Sequence, residues 1–205
     1  MDFKPSRGRP KTVDEKAVRQ AVLNLFWEKG YSGTSLSDLS EAAAISRPSL
    51  YELLGDKQAM FLGCVDMVEE QLDEAMGFFL SAQQSLAVEL QQFFKAAIAI
   101  YVSGDQPRGC LIMCTTPAEA AYEPTIRDRL RATIELLDNA FKKRFQHAEE
   151  FEDVNLTAPP HALAQQATAT LQSLALRARS GESTEDLNRF ASDAVTLLCG
   201  AKNGC

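Results

Sequence analysis

Gly33-Thr-Ser-Leu-Ser-Asp-Leu-Ser-Glu-Ala-Ala-Ala-Ile-Ser-Arg-Pro-Ser-Leu-Tyr51 is the stretch that decides the fold. Thr34 or Ser35 is placed to cap a short helix carrying Leu36, Leu39 and Ala43, because a side-chain oxygen there accepts an amide that the first turn leaves orphaned. Ser46 can cap a second short helix from Arg47 to about Leu53. Pro48 falls in its first turn, where a missing N–H costs nothing. The turn between them lies near Ala44 and Ile45. Upstream, Thr12-Val-Asp-Glu15 reads as a capping box. The helix it opens carries Val18, Val22, Leu25 and Phe26 at helical spacing, with Trp27 as core, and Gly30 stops it. Two short helices joined by a tight turn after a longer one form a helix-turn-helix arrangement.

The punctuation stays helical to the end of the chain. Asp56 can cap a long helix from Lys57 to about Leu80. Leu86, Leu90, Phe93, Phe94, Ala97, Ile98 and Tyr101 mark the next, and Ser103 to Gly109 is a loop. Cys110 to Tyr122 reads as helix interrupted at Pro117, where Thr116 and Glu119 could recap the chain. Pro124 opens a helix of about 24 residues at most, ending near His147. Residues 149–153 read as an acidic connector. Pro160 opens another helix, closed by Gly181, and Ser183 starts the last, with Leu187, Phe190, Ala194 and Leu197 on one face. No segment alternates as a strand does. The expectation is an all-α chain of about nine helices. It divides into a basic arm (1–11), a helix-turn-helix domain (12–56) and a ligand-binding and dimerisation domain (57–205).

Composition supports a sizeable core, with 45% hydrophobic residues in 205. No apolar run approaches the roughly 20 residues of a membrane span, and the N-terminus lacks a secretory h-region. The five cysteines therefore read as reduced and the chain as cytoplasmic. Net charge is -7, but it is unevenly spread. Residues 1–57 hold nine Lys and Arg against eight Asp and Glu, so the acidic excess belongs to the remainder. A weakly basic head on an acidic body suits a DNA binder whose body stands away from the phosphates.

A major groove admits one α-helix, whose N-terminal residues meet base edges. Here those are Ser46, Arg47, Pro48 and Ser49, with Arg47 able to donate two bonds to a guanine. Leu50 and Leu53 should turn inward. Arg7, Arg9 and Lys11 lie just ahead of the head. Arginines in such an arm are stabilised in a narrow, A·T-rich minor groove.

Arg7-Gly-Arg-Pro10, Phe26-Trp-Glu-Lys-Gly-Tyr31, Gly33 to Leu39, Ser46 to Tyr51 and Gly55-Asp-Lys57 together resemble the N-terminal domain of TetR-family transcriptional regulators. Arg108-Gly-Cys-Leu-Ile112, Arg177-Ala-Arg-Ser-Gly181 and Glu185-Asp-Leu187 resemble one branch of that family. The resemblance implies an all-helical homodimer, usually a repressor, whose C-terminal domain binds a small inducer. It further implies that Thr34 and Tyr51 contact phosphates, and that Lys57 does so from the start of the long helix; Ser35, next to Thr34, is a further candidate for DNA contact. Glu52-Leu-Leu54 departs from the family pattern, which often has an aromatic residue at position 54 and a basic or small one near 53.

The implied partners are a double-stranded DNA operator, a second copy of the chain through helices 160–180 and 184–199, and a small effector, with no membrane. The Ala, Thr and Gln content of the first of those helices would let backbones approach closely. Cys110 and Cys114 share one helix face, in a first turn where the helix dipole and Arg108 would lower thiol pKa. The pair reads either as a site for an oxidant, an electrophile or a soft metal, or as small core residues. Phe94, Tyr101 and Tyr122 are candidates to line an effector cavity. His147 and His161 are too few for a zinc site, and no cofactor is expected. A ligand-independent binder or activator is the alternative. A thiol enzyme would need a base that no neighbouring histidine supplies.

Overall fold

Asp14 opens the first helix, α1 (Glu15–Lys29), its carboxylate accepting the Ala17 amide at 3.2 Å. The computed structural model describes residues 14–104, 106–152 and 154–200. The arm residues Arg7, Arg9 and Lys11, and the expected cap Thr12, lie outside them. Glu15 pairs with Arg19 one turn on. Ser35 rather than Thr34 caps α2 (Leu36–Ala42), in a full capping box with Asp38. Ala44 then turns the chain with φ 52°, a left-handed conformation that the short turn demands. Ser46 caps α3 (Arg47–Leu54), Gly55 ends it, and Asp56 caps α4 (Lys57–Phe79). Val22, Phe26, Leu39, Leu50 and Phe61 close the core of this head, with Phe26 edge-on to Phe61 at 5.2 Å.

Five helices form the body: α5 (Leu86–Tyr101), α6 (Leu111–Glu119), α7 (Pro124–Phe151), α8 (Pro160–Arg179) and α9 (Thr184–Cys199). Among the described residues there are nine helices and no strand. α8 lies along α7, and α9 covers α5 and α8. Phe93, Phe94 and Phe141 meet at the centre. No helix among the described residues is long and apolar enough to cross a membrane.

Three expectations are corrected here. α6 runs through Pro117 without recapping; the Thr115 and Thr116 hydroxyls bond back to the Leu111 and Ile112 carbonyls instead. α7 is 28 residues long and absorbs Glu149 and Glu150. Its end is fixed by Arg144, which is buried and reaches Glu152 at 2.6 Å, while Glu152 accepts the Leu86 amide at 2.9 Å. The acidic run is thus partly a structural anchor. Finally, Ala164, Ala167, Ala175 and Ala178 of α8 are buried inside the monomer, not held out for a partner.

Arg144 also pairs with Glu89, whose carboxylate accepts the amides of Ala82, Gln83 and Gln84 at 2.9–3.2 Å. The turn between α4 and α5 is folded around this one buried ion pair.

Candidate nucleic-acid interface and the cavity behind it

α3 buries Leu50 completely and half-buries Leu53 and Leu54 against the head. What remains outside is Ser46, Arg47, Pro48, Tyr51 and Glu52. These residues occupy one side of a helix about 10–12 Å across, the width a major groove accepts. The Ser46 hydroxyl accepts the Ser49 amide at 3.3 Å and lies 2.8 Å from the Ser49 hydroxyl, so Ser49 is half-buried in the cap. The Arg47 guanidinium donates to the hydroxyl of Ser37 on α2. Sequence reasoning missed Ser37, because only the turn geometry brings position 37 beside position 47. Lys57 stands 4.4 Å from the centre of the Tyr31 ring, which fixes the ammonium near the end of α3.

Ser35 is exposed, and its amide and hydroxyl hold the Asp38 carboxyl below the usual carboxylate range. Thr34 is different. It is buried, and its hydroxyl donates to the Gly30 carbonyl at 2.6 Å. That hydroxyl ties the turn after α1 and is not presented to a phosphate.

Behind the head lies a cavity of about 80 Å³ between α4, α5, α6 and α7. Tyr101 and Cys110 line it; Phe93 lines it in place of Phe94, which is fully buried in the aromatic core. Tyr122 is 84% exposed and belongs to the surface. Cys114 is not in the wall; its sulfur lies against Gly109 and Arg179. The thiols run opposite to expectation. Burial pushes Cys110 up to about 11, against the Met113 and Ile112 amides that pull it down. Burial also raises Cys114, although the Cys110 amide and Arg179 oppose it. Desolvation outweighs the helix dipole here. The cation beside Cys114 is Arg179, while Arg108 stacks 5.1 Å from the Trp27 ring.

One wall of the cavity is Trp27, a residue of the reading head. Its indole N–H donates at 3.0 Å to the carbonyl of Gly109, the residue before Cys110. Arg179, at the end of α8, donates to the carbonyls of Trp27, Glu28 and Arg108 at 3.2–3.3 Å. Two of these are carbonyls that α1 leaves open at its C-terminus, so a body residue caps a head helix. At the other end of α6, Glu119 accepts the Ser32 amide at 3.1 Å and its hydroxyl at 2.7 Å. α6 is therefore fastened to the head at both ends.

Comparison with known proteins agrees with this arrangement. The family model for the DNA-binding part of the bacterial regulatory proteins of the tetR family matches residues 19–64. The tetracyclin repressor-like C-terminal domain matches residues 87–194. The HTH-type transcriptional repressor ComR of Escherichia coli (strain K12) is 30% identical, across 95% of this chain and 93% of that protein. The HTH-type transcriptional repressor DhaR of Mycobacterium sp. (strain GP1) is 27% identical, across 84% and 88%. A cysteine mutant of the TetR family regulator CifR, solved with 26-bp double-strand operator DNA, superposes with a TM-score of 0.80 at 26% identity, across 93% of this chain and 100% of that one. With both domain models and a full-length relative in register, the chain belongs to the TetR family of bacterial regulatory proteins and is a DNA-binding transcriptional regulator, not an enzyme.

Proposed function

We propose that the chain is a homodimeric repressor in the cytoplasm. Its two α3 helices enter successive major grooves of a palindromic operator, and a small effector in the cavity behind Trp27 releases it. The observation that carries this reading is the shared wall: Trp27, which lines the cavity, belongs to the head that carries α3. Arg47 is the base-reading residue, held by Ser37. Ser46, Ser49, Tyr51 and Lys57 position the helix on phosphates, with Ser35 at the start of α2 beside them. Arg7, Arg9 and Lys11 reach the neighbouring minor groove. ComR and DhaR, both named repressors, and the operator-bound CifR support the sense of regulation.

Dimerisation through α8 and α9 is supported by what those helices leave uncovered. Leu176 is 56% exposed and Leu197 76% exposed, and Phe190 is half-buried under the Arg177 guanidinium. Leu197→Arg should leave the fold intact, because the side chain is on the surface. It is expected to give a monomer by analytical ultracentrifugation. Operator affinity should fall about a hundredfold or more as the second half-site no longer adds its binding. A variant that stays dimeric and binds like the wild type would overturn the assignment of this face.

A further inference from the structure

We infer that the effector is a small, uncharged, largely apolar molecule that is held without a covalent bond and touches Trp27 directly. This rests on the reading of the cavity as the effector site. Among the described residues, those lining it carry no formal charge. The side-chain polar groups of these residues are the Trp27 indole N–H, the Gln71 amide, the Thr133 hydroxyl, the Tyr101 hydroxyl and the Cys110 thiol. Gln71 and Ile100 are exposed and mark the open side, so the inner surface is more apolar still.

The Trp27 N–H and the Thr133 hydroxyl are already engaged. Thr133 donates to the carboxylate of Glu69, which Arg129 holds at 2.6 Å from the other side. A carboxylate brought to Thr133 would face Glu69 across one hydroxyl and be repelled. Burial raises both Tyr101 and Cys110, so neither is charged near neutral pH. A cation would shed its water and meet no carboxylate in the wall. Either ion would be desolvated without compensation, a large penalty in an apolar site. Because the Cys110 thiol stays protonated, it serves as a soft wall and not as a nucleophile.

Size narrows the class. An apolar cavity of about 150 Å³ admits benzene. The present cavity, about 80 Å³, is roughly half that, so a molecule of about six heavy atoms enters only as its walls move. Movement of the nearest walls has a defined consequence. Trp27 and Cys110 flank the Gly109 carbonyl, so an occupant that presses on them strains the Trp27–Gly109 bond.

Trp27 is the only tryptophan in the chain, so its emission reports on this wall alone. The experiment titrates the full chain at pH 7 with cyclopentanol, cyclopropanecarboxylate and cyclopentylamine, which are each built of six heavy atoms on an apolar ring. Fluorescence of Trp27 and anisotropy of labelled operator are read together. Cyclopentanol is expected to shift Trp27 emission saturably, with the two ions at least about 100-fold weaker. Ala97→Leu, which fills the cavity from α5, should abolish the response while retaining a cooperative melt. Equal or tighter binding of either ion would overturn the inference. So would no binding of cyclopentanol, or saturable binding that leaves Trp27 unchanged or survives Ala97→Leu. Cyclopentanol binding at Trp27 without any change in operator affinity would instead contradict the effector-site reading and leave the ligand class standing.

Discussion

Arg144→Ala is expected to cost about 3–5 kcal/mol of stability, because it strands buried carboxylates without their cation. Arg144 and Glu89 are each 2% exposed, and Glu152 completes the cluster. Glu89 gathers three backbone amides of the α4–α5 turn, and Arg144 adds a bond to the Gln84 carbonyl at 3.0 Å. Alanine removes the charge and the packing of the guanidinium stem together. For a chain of this size the melting temperature should fall on the order of 10 °C. The double variant Arg144→Met/Glu89→Gln, which leaves Glu152 as the one charge, should recover part of the loss. α4 is 23 residues long and its first turns belong to the head, so this cluster sits roughly 20–30 Å from the head. Operator affinity of the folded fraction should therefore be unchanged. Urea unfolding gives the energies directly. A loss under about 1 kcal/mol would mean that the ion pair does not hold this end of the body.

Gly109→Ala is the second large effect, and it strikes the joint between body and head. Gly109 has φ 65°, where an L side chain is strained by about 1–2 kcal/mol. A Cβ there would lie 2.4 Å from the Ala175 carbonyl oxygen and 2.8 Å from the Cys114 sulfur. The first is backbone of α8 and cannot step aside. The loop must back away, at a further cost of about 1–3 kcal/mol. Its carbonyl then leaves the Trp27 indole. The expected outcome is a melting temperature lower by about 5–15 °C and a red-shifted Trp27 emission in the absence of any ligand. The α3 surface is untouched, so specific DNA binding should persist below the melt. Wild-type emission together with a wild-type melt would show that the joint tolerates a side chain and that Trp27 is not held by it.

The head was legible because its signals are local. Ser35, Ser46 and Asp56 each cap a helix within three residues of themselves, and the apolar spacing of α1 does the rest. Thr12 misled because Asp14, two residues later, offers a charged acceptor to the same turn. The end of α7 was read short because Glu149 to Asp153 looks like solvated charge. Its actual anchor is Arg144, whose other partner, Glu89, is 55 residues away. Helical periodicity also cannot rank neighbours on a buried face: Phe93 and Phe94 are adjacent, yet one meets the cavity and the other the core. Trp27 looked like ordinary core for the same reason. Its bond to Gly109 spans 82 positions, and the Arg179 cap on α1 spans about twice that. For the cysteines, spacing alone gave the shared helix, while burial, which spacing does not encode, reversed the direction of the thiol shifts.

Sequence-specific binding through the exposed face of α3 is tested most directly by selection from a random duplex library. The full chain is used at physiological salt, and the affinity of the selected site is then compared with that of scrambled DNA. Two inverted half-sites are expected, bound at least about 1,000-fold more tightly than scrambled duplex, with Arg47→Ala relaxing the preference at one position in each half. An unselected pool, or a selected site whose preference is the same with and without Arg47, would contradict the assignment of α3 as the reading helix.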